Sequence, residues 1–272
     1  MQVSPITQDG FQTIDSSCPD SDRIHVCSGN LVKTIQLFSI PTFGLPLRFS
    51  LYHNALNVSP AGDVGIGWRH SGQAQLNRET STASLVVFTD ETGRPREFEK
   101  VGSDWVLQDN SFFANVQLSE LGGGVWQLSY EPRGPIFEFT ELSGEPVVAR
   151  LTRIVDRDGN ELLYEYNLSD QLVEIVEPVS ERAITLGWTD GYLSSVTDPG
   201  SFSFTLSYTD DLLTTVEMPD GCLLEHTYDG NNRVASRSDR LGASTLYSYD
   251  GEGRLIEVQG PEEEEVRPTV SW

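Results

Sequence analysis

Cys18, His25 and Cys27 come nearest in this chain to a set of metal ligands, two thiols and an imidazole separated by a few polar residues. A structural zinc site takes four such ligands at an orthodox spacing, and this set lacks both the fourth ligand and the spacing. In an oxidising compartment Cys18 and Cys27 could pair across the loop holding Pro19, Asp20 and Asp22, yet with Cys222 as the third cysteine they make no disulfide framework. Asp156, Asp158 and Asn160 around Gly159 hint at a calcium loop, but the glycine arrives at the fourth position and no Glu stands at the twelfth, so they read as a β-turn. The histidines His25, His53, His70 and His226 are scattered, and no serine or cysteine sits in a strained, glycine-rich elbow that would activate it. His70, close to Trp68, reads as a packing or hydrogen-bonding residue. With 41 acidic residues a pair of carboxylates can be chosen almost anywhere, which empties any glycosidase-like pair of meaning. No catalytic residue, cofactor or metal is expected.

What does recur is an aromatic. Tyr166, Trp188, Tyr208, Tyr228 and Tyr249 follow one another at spacings of 22, 20, 20 and 21 residues. Alternating runs lead up to them: Leu162, Tyr164 and Tyr166, then Ile184, Leu186 and Trp188, then Phe202, Phe204, Leu206 and Tyr208. A period of two puts one apolar, aromatic face on a half-buried strand. Asp- and Gly-rich turns follow, such as Thr189-Asp190-Gly191 and Thr209-Asp210-Asp211, and returning strands are expected over 172–176, 193–196, 212–216, 233–235 and 254–258. Most of these stop at turns such as Asp198-Pro199-Gly200 and Pro219-Asp220-Gly221. A short fixed period means stacked β-hairpins, which bury their apolar faces only against neighbours. The rings therefore read as packing between hairpins, with stacking on sugar rings as the functional alternative.

Tyr249-Asp250-Gly251-Glu252-Gly253-Arg254 resembles the tyrosine-aspartate repeat of the Rhs family, and Tyr228-Asp229-Gly230-Asn231-Asn232-Arg233 is similar to it as a second copy. In the three preceding units the motif is degenerate, and Thr189 and Thr209 stand where the family has Asp. Residues 29–72 resemble the amino-terminal region that precedes the repeats in that family. They do so through Gly29-Asn30-Leu31, Ser39-Ile40-Pro41, Leu45-Pro46-Leu47, Tyr52, Asn54 and Gly65-Ile66-Gly67-Trp68. The family has Asn directly after the Tyr, whereas here His53 intervenes.

The resulting plan is an irregular leader over 1–28, an amino-terminal β region over 29–150, five repeats over 151–260, and an acidic turn over 261–272 that opens a sixth repeat at Val266 and stops at Trp272. A hairpin is expected across 85–98, with strands over 116–118, 125–130, 136–139 and 147–154, and no helical period appears. The fold class is all-β, a curved ribbon of stacked antiparallel β-hairpins, which by resemblance is a segment of a Rhs-type β-shell.

Charge narrows the partners. Against 41 acidic residues stand 18 basic ones, a formal charge of -23, so a phosphate backbone or an anionic membrane surface would be repelled and no nucleic acid is expected. No apolar run approaches the roughly 18 residues that cross a bilayer, and residues 1–10 lack the basic and apolar regions of a secretion signal. The resemblance implies a non-catalytic wall segment that helps to enclose a toxin for delivery to competing bacteria, secreted or held at the cell surface. Its partners would be the remainder of the shell and the toxin cargo, or further copies of itself through open strand edges. Because family shells contain many more repeats and end in a Pro- and Asp-rich cleavage motif not found here, the chain is expected to be a fragment, a truncated reading frame or one piece of a split shell. The alternative is a cell-surface module that binds carbohydrate or protein through the repeat face or the strand edges.

Overall fold

The computed structural model describes residues 11–13, 20–25, 28–58, 62–78, 84–108, 116–130, 132–142 and 147–261, and among them there is no helix. The pairing of Cys18 with Cys27 and the sixth repeat from Val266 onward lie outside the described residues.

The first sheet is an antiparallel meander of β1 (Phe11–Thr13), β2 (Asp20–His25), β3 (Asn30–Ile40), β4 (Leu47–Asn54) and β5 (Trp68–His70), bonded in that order. The leader expected to be irregular thus contributes two strands. Their sequences show no apolar alternation, but the eleven-residue β3 has a second row of backbone groups to satisfy, and β2 pairs with it from Asp20↔Ile35 to His25↔Asn30. Leu31, Ile35, Phe49, Leu51 and Trp68 are fully or almost fully buried on one face of this sheet.

The next eight strands close on themselves. They are β6 (Gln75–Arg78), β7 (Leu85–Thr89), β8 (Pro95–Val101), β9 (Asp104–Leu107), β10 (Val116–Gly122), β11 (Val125–Tyr130), β12 (Ile136–Glu141) and β13 (Val148–Val155). Each pairs antiparallel with the next, and β13 returns to β6 through Val148↔Asn77, Ala149↔Leu76 and Arg150↔Gln75, which makes a barrel-like ring. Its inside is filled by side chains such as Phe88 against Phe139 and Trp105 against Trp126, with ring centroids 5.9 and 5.4 Å apart.

One strand joins ring and ribbon. The second half of β13 leaves β6 and pairs instead with β14 (Glu161–Tyr166), through Arg153↔Leu163 and Val155↔Glu161. The junction expected between residues 150 and 151 falls inside this strand. From β14 the chain runs as a continuous meander through β15 (Leu172–Glu177), β16 (Arg182–Thr189), β17 (Tyr192–Thr197), β18 (Ser203–Thr209), β19 (Leu212–Glu217), β20 (Leu223–Tyr228), β21 (Val234–Ser238), β22 (Ser244–Tyr249) and β23 (Leu255–Gln259).

Every hairpin of the ribbon carries the same irregularity. Register shifts just before Tyr166, Trp188, Tyr208, Tyr228 and Tyr249, and the residue left over on the returning strand is Val173, Ser194, Thr214, Ala235 and Ile256 in turn. An extra residue flips the alternation, so the inward positions on these strands lie three apart instead of two. Leu172 and Ile175, Leu193 and Val196, and Leu213 and Val216 are buried accordingly. Turn chemistry explains the step from a spacing of 20 to one of 21, and the spacing of 22 has one further residue in the β15–β16 hairpin. Thr189 and Thr209 lead into two-residue turns whose central residues, Asp190-Gly191 and Asp210-Asp211, all have positive φ, whereas Asn167, Asp229 and Asp250 open loops one residue longer. In the longer loops the Asn or Asp oxygen accepts amide protons two and four residues on. Asp156 Oδ1 does the same for Asp158 and Asn160, which accounts for the apparent calcium motif as a turn.

Phe202 departs from its expected place. It is 60% exposed, because the Asp198 carboxylate still accepts its backbone N–H at 3.0 Å and holds it in the turn before β18 begins.

The bulge makes a prediction. Leu193→Ala should cost about 2–5 kcal/mol in urea unfolding, while its neighbour Ser194→Ala should cost about 0.5 kcal/mol or less. Equal costs would contradict the bulged register.

Candidate functional site

The repeat rings do more than fill space. Each donates its polar hydrogen to a backbone carbonyl of the preceding hairpin, which for Tyr166 is β12–β13 of the ring: Tyr166 Oη to Leu151 at 2.8 Å, Trp188 Nε1 to Leu172 at 2.9 Å, Tyr208 Oη to Leu193 at 2.7 Å, Tyr228 Oη to Leu213, and Tyr249 Oη to Val234 at 2.9 Å. From Leu172 onward, the accepting residue is the one that sits opposite the previous repeat's aromatic across the hairpin. The rings are half-buried, and their hydroxyl or indole N–H groups are already spent on this clasp.

Arg completes the motif in the last two units. Arg233 binds Asp229 Oδ2 through Nε at 2.8 Å and lies over the Tyr249 ring of the next repeat, 4.6 Å from its centroid. Arg254 binds Asp250 Oδ2 at 2.6 Å in the same way. Burial pushes the Asp229 carboxyl up, but hydrogen bonds from the Arg233 side chain and from the Arg233 and Asn231 amides outweigh it and hold the group below its ordinary range. Gly230 and Gly251 are exposed in these turns, while Gly253 has φ +83° and packs against Leu56 of the amino-terminal region.

That last contact belongs to a seam. The apolar face of the ribbon is covered by the first sheet, where Phe38 meets Phe204 at 5.6 Å and Trp68 meets His226 at 5.1 Å. Trp68 Nε1 donates to Tyr228 Oη at 2.8 Å, so the Tyr228 hydroxyl is bonded on both sides. Over these repeats the apolar face is therefore occupied by residues of the same chain.

Backbone bonds fix the seam's register. The Leu193 N–H donates to Asp63 O at 2.8 Å, the Leu255 N–H to Gly29 O at 2.9 Å, and the Ile66 N–H to Asp211 O at 2.8 Å. Both Leu193 and Leu255 are bulge residues, so the irregularity of the repeats also supplies donors to the seam. Gly65 shows the closeness required: at φ +80° a Cβ there would lie 2.5 Å from the Asp211 carbonyl oxygen. A Cβ on Gly29 would lie 2.7 Å from Arg254 Cβ.

The other amino-terminal residues singled out in the sequence divide between the two faces of the sheet. Gly67 packs on His53, and the Pro41 carbonyl accepts from Arg182 Nη1 at 3.4 Å. Tyr52 and Asn54 lie on the far face, where the Asn54 amide binds Asn30 and Thr92, and Pro46 leads directly into β4.

Sequence reasoning passed over the polar groups buried in the seam. Lys33, only 1% exposed, donates to Tyr247 Oη at 2.9 Å. His53, His226 and Arg237 are buried nearby. A lysine in the row Leu31, Lys33, Ile35 was the available signal. His70 lies beneath Phe49, ring centroids 5.4 Å apart, and its Nδ1 accepts the Gly72 N–H at 3.1 Å. Burial pushes its imidazole below the ordinary range despite the neighbouring Asp63, so it packs as a neutral ring.

With this geometry in hand, two family models match the chain. One, described as Domain of unknown function (DUF6531), covers residues 21–98, and the other, described as RHS Repeat, covers residues 228–264. Together the two matches support an Rhs/YD-repeat family assignment. The first match takes in most of β2, β3 to β7 and the start of β8, and the second begins at Tyr228, so the two matched segments meet at the Trp68–Tyr228 hydrogen bond. No curated protein matches the chain.

Two expectations follow. In a double-mutant cycle of Trp68→Phe and Tyr228→Phe, unfolding should give a coupling energy of about 1 kcal/mol, and additive effects would contradict the seam bond. Burial raises the phenol pKa of Tyr164, Tyr166, Tyr208 and Tyr228. The unfolded chain's phenols ionise near pH 10 while the folded ones stay protonated, so their stabilisation is complete below about pH 10 and is lost as pH rises beyond it. In an alkaline titration the buried phenolates should appear together with unfolding, and independent ionisation of all nine tyrosines in a folded protein would contradict their burial.

Proposed function

We propose that the chain is a non-catalytic wall segment of a Rhs-type toxin-encapsulating shell, serving delivery of a polymorphic toxin in competition between bacteria. The observation that carries this reading is the run of clasps, in which each hairpin hands one side-chain hydrogen bond to the one before it at a nearly constant offset. Such a construction lengthens by adding units, as a wall does.

Steric enclosure needs no catalytic group. A sheet bonded strand to strand leaves no passage for a polypeptide, and the acidic surface keeps the wall soluble and blunts its edges. The first sheet suits a sealing end of the wall, because an apolar ribbon face needs cover and here the same chain provides it. The partners in this reading are the remainder of the shell and its cargo.

The test is to purify the protein together with the products of the genes adjoining its own and to examine the assembly by electron microscopy and protease challenge. A hollow particle that protects an enclosed polypeptide until the wall is denatured is the expected result. A cargo cleaved as fast in the assembly as when free would contradict enclosure.

A further inference from the structure

The first sheet has a second face, and the wall function leaves it without a role. Against it, the β7–β8 turn folds over to form a groove of about 1080 Å3, just above the roughly 300–1,000 Å3 typical of small-molecule sites. We propose that this groove binds an acidic oligosaccharide.

The floor is laid in register. Thr34, Tyr52 and Arg69 stand opposite one another across β3, β4 and β5, and Gln36 stands opposite Ser50, with Arg48 beyond them. The far wall is held at a fixed height: Asn54 Nδ2 donates to Thr92 O at 3.4 Å and Asn57 Nδ2 to Gly93 O at 3.3 Å. Gly93 has no side chain to spare there, since a Cβ would stand 3.0 Å from Arg69 Cδ.

Three features select the ligand. Both edges of β3 and both edges of β4 are taken by neighbouring strands, so the middle of the floor offers no backbone ladder for an extended peptide. There the ligand must be read by side chains, and beside the apolar Val32, Leu56 and Pro95 the neutral polar ones are amides and hydroxyls, which donate and accept as a dense array of sugar hydroxyls requires. Charge supplies the third. Arg48, Arg69, Arg94 and Arg96 outnumber Asp90 and Glu91 among the described lining residues of a chain whose net charge is -23. The Asp90 carboxylate is also engaged by its own turn, accepting from Thr92 and Arg94, and pairs with Arg96 Nη2 at 3.7 Å. Guanidinium groups match carboxylates in geometry as well as charge.

Calorimetry on the whole chain tests this with trigalacturonate, a neutral galactotriose and triglutamate as probes. Trigalacturonate should saturate a single site, more weakly at higher salt. Arg48 and Gln36 are exposed, so Arg48→Gln and Gln36→Ala should leave the melting temperature unchanged. Arg48→Gln should weaken trigalacturonate about tenfold. No binding at millimolar probe, equal binding of the neutral sugar or of triglutamate, or undiminished binding in the double variant would each overturn the proposal.

Discussion

A hydrogen bond from an aromatic side chain to the carbonyl of a bulge residue holds this structure in register. A β-ribbon of short hairpins is prone to slip, because a shift of one residue turns every side chain to the other face. Here the extra residue in each returning strand kinks the strand, and the carbonyl at the start of that kink receives the ring of the following repeat. Register, curvature and the link between repeats come from one device. Its members depend on one another: without the bulge the ladder would present a different carbonyl, and without the ring that carbonyl would lie half-buried without this donor.

The same device reaches the amino-terminal sheet. Leu193 and Leu255 each serve the ribbon as bulge residues and the seam as backbone donors, and Tyr228 both clasps Leu213 and accepts from Trp68. Sheet and repeats are therefore one folded unit, sharing a core that runs from Leu31 to Tyr247. This makes physical sense of the two family matches lying at opposite ends of the chain, since neither segment has a complete core without the other.

Much of the ribbon was legible because its signals are local. Alternation, turn residues and an aromatic every twenty or so residues are properties of neighbouring residues, and they place the hairpins and name the rings. The bulges were written just as locally, in the Leu-x-x-Ile and Leu-x-x-Val spacings of 172–175, 193–196 and 213–216, but a reading that expects period two sees only broken alternation there. What could not be read was long-range. Nothing near Trp68 announces Tyr228, nothing in Asp20–His25 announces a strand whose reason is the unpaired edge of β3, and the closure of β13 on β6 depends on residues some seventy positions apart. Phe202 failed for the opposite reason: its local pattern fitted a strand, and the Asp198 turn claimed it first.

Native-state hydrogen exchange tests most directly whether the clasped repeats and the first sheet form one cooperative structure. Amides of β3 and β4 and those of β16 to β21 should exchange by the same opening, with equal free energies and equal dependence on denaturant, and Tyr228→Phe should lower both sets together. Two sets that open at different free energies, with only the repeats responding to Tyr228→Phe, would contradict the account.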